Sequence, residues 1–387
     1  MYLLKFILHY KSSMILEARI KKGISYTKKL KIVLPKVEEK LLNINTCPSA
    51  CMVTNGNNLC YSLSKWVSPK RTRSYPYERI YNTLQFMGKR ITIIPVVKDE
   101  GLRGDRDFIQ WDTISLMSLL DVYVILGYYD KASKNPRNPA KITKQEFNNK
   151  YIRSKIQKLR NYHSSALHWN LNEIKSSLAN VTDSVKKSYK RISKQLGIEM
   201  HSEAGIDKFK KDLKIDVNDF MLMSRKKAKF AQGREYHTLQ PKERLAINSK
   251  KAQLTILNYL GGEYNLTVDE VCIKSNKLYL QENKHTNMGI IPSIGDIKDG
   301  LLKMMIFTSL EDLTVKLKTK SKGVDFIPTL KLTSPLLKGK INSNSKNQKI
   351  VYFLKVNKIN SKLQSLIESI FLEARSNKFV IEIANTL

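Results

Sequence analysis

The stretch LTVDEVCIKSNKLYLQENKHTNMGIIPSIGDIKDGLLKMMIFT, residues 266–308, constrains the chain most, because its hydrophobic period changes partway along. In its first half the period is two: Leu278, Leu280 and Glu282 fall on one side of a strand, and Tyr279, Gln281 and Asn283 on the other. Lys284 shares the side of Glu282. Asp269, thirteen residues before Glu282, begins an earlier strand-like run over 268–274, and Ser275-Asn276 marks the turn between the runs. After Pro292 and Ser293 the period becomes helical, with Ile297, Leu301, Met304, Met305 and Thr308 on or near one face. Residues 242–260 read as a further helix closed by Gly261-Gly262. The expected local order is therefore helix, strand, strand, helix, with three charged groups converging at strand ends.

Two carboxylates and a lysine so placed suit phosphodiester hydrolysis. The acids can hold Mg²⁺ through oxygen, the metal can polarise a phosphate and acidify a bound water, and the lysine can orient that water. Acid-x-Lys occurs five times in the chain, ending at Lys40, Lys175, Lys214, Lys284 and Lys298. Only the tripeptide ending at Lys284 lies in strand-like sequence with another acid upstream.

Charge points toward a polyanion. The chain has 68 Lys and Arg against 34 Asp and Glu, a formal charge of +34, with 42% hydrophobic residues, so it folds and is not a disordered basic tail. Residues 131–260 carry 29 Lys or Arg and 11 Asp or Glu, about half of the net charge in a third of the length. Within 387 residues we expect an N-terminal α/β region (1–130), a basic helical region (131–241) and a catalytic core with a C-terminal tail (242–387). Candidate DNA contacts are Lys65, Lys70, Arg71 and Arg73, interleaved with Trp66, Tyr75 and Tyr77. Arg103 and Arg106 join them, with Arg225, Lys226 and Lys227 of the densest basic patch. Each also reads as an ordinary solvated cation. His163 and His168 are five apart, which is not the helical spacing of a zinc pair, and read as packing or phosphate contacts.

The N-terminal region reads as helix from Glu78, strand over 91–97, charged loop over 98–112, helix over 113–120 and strand over 122–128. The loop holds Asp99, Glu100, Asp105, Asp107 and Asp112 beside Lys98, Arg103 and Arg106. It is either a second candidate site or an ion-paired connection in which Asp112 caps the next helix. A polar, proline-marked link follows over 131–141, and the tail is expected to be extended over 324–332 and 349–356 and helical over 361–375. Cys47, Cys51 and Cys60 have a C-x3-C-x8-C spacing that binds zinc only if a distant group such as His9 completes it; otherwise they are free thiols in a reducing compartment. No stretch reaches the roughly 20 apolar residues of a membrane span, and the first residues read as a leader, with Met14 as an alternative start.

Asp269, Glu282 and Lys284, in VDEVCIKSNKLYLQENKH before the helix SIGDIKDGLLKMMIF, resemble the PD-(D/E)xK nuclease superfamily and, within it, the type II restriction endonucleases. The resemblance covers roughly residues 242–335. It implies an α/β (α+β) fold, a mixed central sheet flanked by helices with the first acid on one strand and Glu-x-Lys on the next, to which the charge and helical pattern above add a helical basic region. It also implies Mg²⁺-dependent cleavage of double-stranded DNA leaving a 5′-phosphate, with Asp269, Glu282 and the carbonyl of Asn283 as metal ligands. Val268 stands where the family has proline, so Glu270 and Glu263 remain alternatives for the first acid. A homodimer follows from cutting two strands, a cognate DNA methyltransferase from a restriction system, and a cytoplasmic location from both. The competing readings are a non-catalytic DNA-binding protein and a metal-dependent phosphoesterase centred on residues 98–112.

Overall fold

A computed structural model describes residues 14–65, 77–215, 222, 226, 250–274, 277–316 and 321–386. It is a mixed α/β protein of two compact units, one formed by 1–32 with 225–387 and the other by 33–224.

The first unit is built on a nine-stranded mixed sheet. In chain order its elements are β1 (Met14–Ile20), β2 (Lys250–Asn258), β3 (Glu263–Lys274), β4 (Lys277–His285), α1 (Ile294–Thr308), β5 (Glu311–Lys316), β6 (Ser321–Gly323), β7 (Phe326–Thr333), β8 (Lys340–Asn342), α2 (Asn347–Val356), α3 (Ser361–Ser376) and β9 (Val380–Ala384). The spatial order is β6-β5-β1-β2-β3-β4-β7-β9-β8. β2, β3 and β4 form an antiparallel meander; the chain then passes through α1 and through β5 and β6 at one edge of the sheet before β7 lies parallel to β4. Helix α1 starts where Ser293 accepts the Asp296 N–H at 3.2 Å and its hydroxyl donates to the Asp296 carboxylate at 2.6 Å, which satisfies a donor that a helix start leaves open. Ile297, Leu301, Met304 and Met305 are buried as their spacing requires. Gly300 sets the closeness of the helix to the sheet: a Cβ there would lie 2.5 Å from Leu330 Cδ1 on β7. The segment before residue 32 is strapped to the same unit by Glu373 of α3, whose buried carboxylate accepts the Tyr26 hydroxyl at 2.8 Å and the Lys29 and Leu30 amides at 2.7 Å each.

Two expectations are corrected here. The predicted helix over 242–260 is strand β2 from Lys250 onward. Ala252, Leu254 and Ile256 are fully buried and alternate with Lys251, Gln253 and Thr255, a period of two that the lysine-rich flank obscures. Its strand neighbours make the local order strand, strand, strand, helix. The predicted extended segment over 349–356 is helix α2. The apolar run IVYFL reads as a strand, yet only Phe353 and Leu354 are buried, adjacent on a helix that leaves Tyr352 70% exposed. The extended segment near 324–332 and the helix near 361–375 occur as β7 and α3.

The second unit has a five-stranded sheet in the order Lys36–Glu38, Ala50–Asn55, Asn58–Lys65, Arg90–Pro95, Val122–Gly127. The last three run parallel in register, connected by helices Tyr77–Thr83 and Trp111–Leu119, close to the alternation expected of that region. The expected link over 131–141 instead belongs to an antiparallel hairpin of Tyr129–Lys134 and Ile142–Phe147. Its Lys131, Ser133 and Lys134 are polar because the ribbon is largely exposed, which hides the strand from a hydrophobicity reading. Helices Asn149–Arg160, Ala166–Asn172, Leu178–Leu196 and Ala204–Ile215 follow, as the helical pattern predicts. Among the described residues no helix is long and apolar enough to cross a membrane.

Candidate functional site

An extra residue in β3 puts the two acids together. β2 and β3 pair Ala252 with Val268 and then Lys250 with Val271, so β3 advances three residues while β2 advances two. Such a bulge turns a side chain that strict alternation would send to the opposite face. β3 and β4 then pair Glu270 with Gln281 and Val271 with Leu280, and one further step in that register sets Asp269 opposite Glu282. Without the bulge Val268 and Asp269 would point to opposite faces; with it, both sit on the face that Val271 and Leu280 share.

The sheet also opens at this point. The β3–β4 ladder runs only from Lys274–Lys277 to Glu270–Gln281. Beyond it, β3 stays with β2 back to Glu263, while β4 follows β7 through His285. Asp269 and Glu282 stand at the apex of this fork. The Asn283 amide, freed from the ladder, donates to Asp269 Oδ2 at 2.9 Å. Glu282, 2% exposed, takes Lys284 Nζ at 3.0 Å on Oε1 and Lys303 Nζ at 2.6 Å on Oε2. The half-buried side chain of Asn283 points the other way and donates to Glu270 Oε2 at 3.3 Å, so only its main chain belongs to the acid pair.

The electrostatics of the pair are unequal. Burial would raise the Glu282 pKa, but Lys303 and Lys284 outweigh it and hold the carboxyl down at about 2. For Asp269, burial and then the negative Glu282 push the pKa up to about 7, against the smaller opposing effects of Lys303 and the Asn283 amide. One acid is thus ionised and the other is short of positive charge. Glu270, an alternative first acid, lies on the opposite face with Lys331 at 3.8 Å, and Glu263 lies six residues down β3, about 20 Å away, bonded to Asn265 at 3.2 Å. Of the three candidates only Asp269 shares the site with Glu282 and Lys284.

Among the described residues no three His, Cys, Asp or Glu side chains group as a metal site. The pair nonetheless suits Mg²⁺, which keeps several waters and asks for only one or two carboxylates. A cation would neutralise the negative charge that Asp269 gains on ionising, which the Asn283 amide and Lys303 offset only in part. Lys303 was not anticipated from the sequence. It precedes the buried Met304 in α1 and lies off the predicted apolar face, and only the three-dimensional approach of α1 to β4 brings it to Glu282.

The other predicted groups have different fates. Lys65 is 4% exposed, and its amine donates to the Ile44 and Asn45 carbonyls, so it ties a turn and offers no cation to a phosphate. The reason is its place at the end of a central strand, where the side chain has only protein to face. Lys70, Arg71, Arg73, Arg225 and Lys227 lie outside the described residues, and Arg103 and Lys226 are exposed. Arg106 donates to the Ser202 carbonyl at 2.7 Å and lies over the Phe108 ring. In the acidic loop, Asp99 is buried and accepts from Gly101 N and pairs with His201 Nδ1, each at 2.8 Å, while Lys98 meets Glu100 at 2.8 Å. Asp112 does not cap its helix: Gln110 occupies that position, and Asp112 sits buried in the first turn. His168 bonds Tyr162 and stacks on its ring, which is packing. Cys47, Cys51, Cys60 and Cys272 are free thiols, and the Cys47 thiol is brought down to about 7, chiefly by its hydrogen bond from Cys51 and then by Lys65. Compared with family models, with curated proteins and with solved structures, the chain matches none of them.

Proposed function

We propose that this protein is a Mg²⁺-dependent endonuclease that cleaves double-stranded DNA, of the type II restriction endonuclease kind. The observation that carries the reading is the fork in the sheet, with a carboxylate pair at its apex whose charges are unbalanced and a lysine of the Glu-x-Lys tripeptide against it. The mixed sheet, with the first acid on β3 and Glu-x-Lys on β4, is the arrangement that the resemblance leads one to expect.

Asp269 and Glu282 would hold the metal, with the Asn283 carbonyl as a third ligand. When bound, the metal supplies Lewis-acid polarisation of the phosphate and a more acidic water. The chain does the remaining work. Lys303 and Lys284 keep Glu282 ionised, and the Asn283 amide fixes Asp269 Oδ2 in place. Lys284, 3.0 Å from Glu282 Oε1, is held where its amine can orient the attacking water and offset the charge gathering on the phosphate. Cutting both strands of a duplex calls for two such centres, so the proposal includes a homodimer. A cognate methyltransferase and a cytoplasmic location belong to the restriction-system part of the proposal.

The formal charge of +34 favours a second reading, a DNA-binding protein without cleavage. Incubation of plasmid DNA with Mg²⁺ or with EDTA separates the two. We expect discrete cleavage with Mg²⁺ alone and a loss of about 10²- to 10³-fold in rate for Lys284→Ala. A Lys284→Ala protein as fast as the wild type would refute the assignment.

A further inference from the structure

The second unit contains a cleft of about 620 Å³ that the nuclease centre does not use. One wall is the helix Asn149–Arg160, and the other comes from the segment around Glu39 and Lys40 with Tyr61 of the strand Asn58–Lys65. From the helix, Lys150, Arg153, Gln157 and Arg160 line it at steps of three, four and three, so they form one stripe along one face. All four are exposed, and Lys40 is exposed on the facing wall. The floor is apolar, with Leu42 and Ile156 buried. The acid in the lining, Glu39, is already engaged: Arg160 bonds its Oε2 at 2.7 Å and the Tyr61 hydroxyl meets its Oε1 at 3.5 Å. Lys40, Lys150 and Arg153 have no ion-pair partner among the described residues.

We infer that this cleft is a binding groove for the phosphate backbone of duplex DNA. Three unneutralised cations on two walls select an anion. The length of the stripe selects a polymer of phosphates over a single one: Lys150 and Arg160 are ten residues apart, about 15 Å along a helix, whereas phosphates on one strand recur every 3.4 Å of duplex axis. The inference takes its polyanion, DNA, from the nuclease reading, but it does not depend on the cleavage centre. It gives the second unit a role as an anchor.

The test measures binding of a fluorescent 30-bp duplex in EDTA, where no cleavage occurs, over a range of salt concentrations. Wild type is compared with Lys40→Ala/Lys150→Ala/Arg153→Ala and with a control that removes equal charge from exposed positions of another helix, Lys187→Ala/Lys190→Ala/Lys194→Ala. Removing phosphate contacts should weaken binding at least about 10-fold for the cleft variant and lower the slope of log K against log salt by about 2 to 3. The control should change by less than about 3-fold. A single Arg153→Glu variant, with an unchanged melting temperature, should by itself weaken binding several-fold. Equal losses in cleft and control variants, no loss in either, or no DNA binding by wild type would each overturn the inference. Glu282→Ala separates the two proposals, since it should abolish cleavage while binding in EDTA persists.

Discussion

The fork at Asp269 and Glu282 and the loop over residues 98–112 are both rich in carboxylates, and they differ in how those carboxylates are served. In the loop the buried Asp99 and the buried Lys98 are both answered locally. Asp99 has His201 and the Gly101 amide, and Glu100 has Lys98, while Gly101, at φ +98°, bends the chain so that these partners meet. At the fork, two lysines bond Glu282, while Asp269 has the Asn283 amide, a side-chain hydrogen bond with Glu282 and only the through-space pull of Lys303, and its pKa stays near 7. A fully compensated cluster stabilises a fold, whereas an undercompensated one stores the capacity to take up a cation. The number of acids in a segment therefore says little about chemistry; the charge left over says more.

That contrast is broken most directly by substituting both regions. Glu282→Ala should lower Mg²⁺-dependent plasmid cleavage by about 10²-fold or more, while Asp105→Ala/Asp107→Ala should leave the rate within about 3-fold of wild type. Loss of cleavage in the second variant, with its fold and melting temperature intact, would move the active centre to the loop.

Much of the centre was legible because it depends on period. Leu278, Leu280 and Glu282 share a face in the sequence pattern and in β4, and the Ser293 start and apolar face of α1 follow from capping and spacing. The neighbourhood of Asp269 was less legible. Its place beside Glu282 requires a bulge, and no residue type in VDEV signals one. Lys303 and the strand β1 were hidden for a different reason: each reaches its partner across a long sequence separation, β1 pairing with β2 more than 230 residues away. Lysine-rich flanks likewise made β2 resemble a helix, since charge was read as a solvated face when it marked the alternate side of a strand.

The next sharpening of the comparison concerns stability, where the loop should dominate. Asp99→Ala removes the acceptor of the Gly101 amide and the partner of His201 in a buried setting, a loss of about 1–3 kcal/mol. Urea denaturation should show this as a lower midpoint with an unchanged slope, and cleavage per folded molecule should be retained. An unchanged midpoint would mean that the loop is not the compensated cluster described above.

A pH-dependent effect is expected at Asp269 in metal-free protein, and its sign distinguishes the two clusters. The native pKa of about 7 lies above the ordinary aspartate value of 3.8, so folding takes up a proton between those values. The stability this group contributes is fully present below about pH 4, declines as pH rises through the window and is lost above pH 7. Asp269→Asn cannot ionise and should escape that decline. In EDTA, the melting temperature of the variant relative to wild type should therefore rise between pH 4 and 7 and level off above it. Saturating Mg²⁺ should raise the wild-type curve above pH 7 but leave the variant much less affected, because a neutral amide is a poorer partner for the cation than a carboxylate. A difference that stays flat with pH would show that Asp269 is as well compensated as Asp99, and the distinction between the two regions would fail.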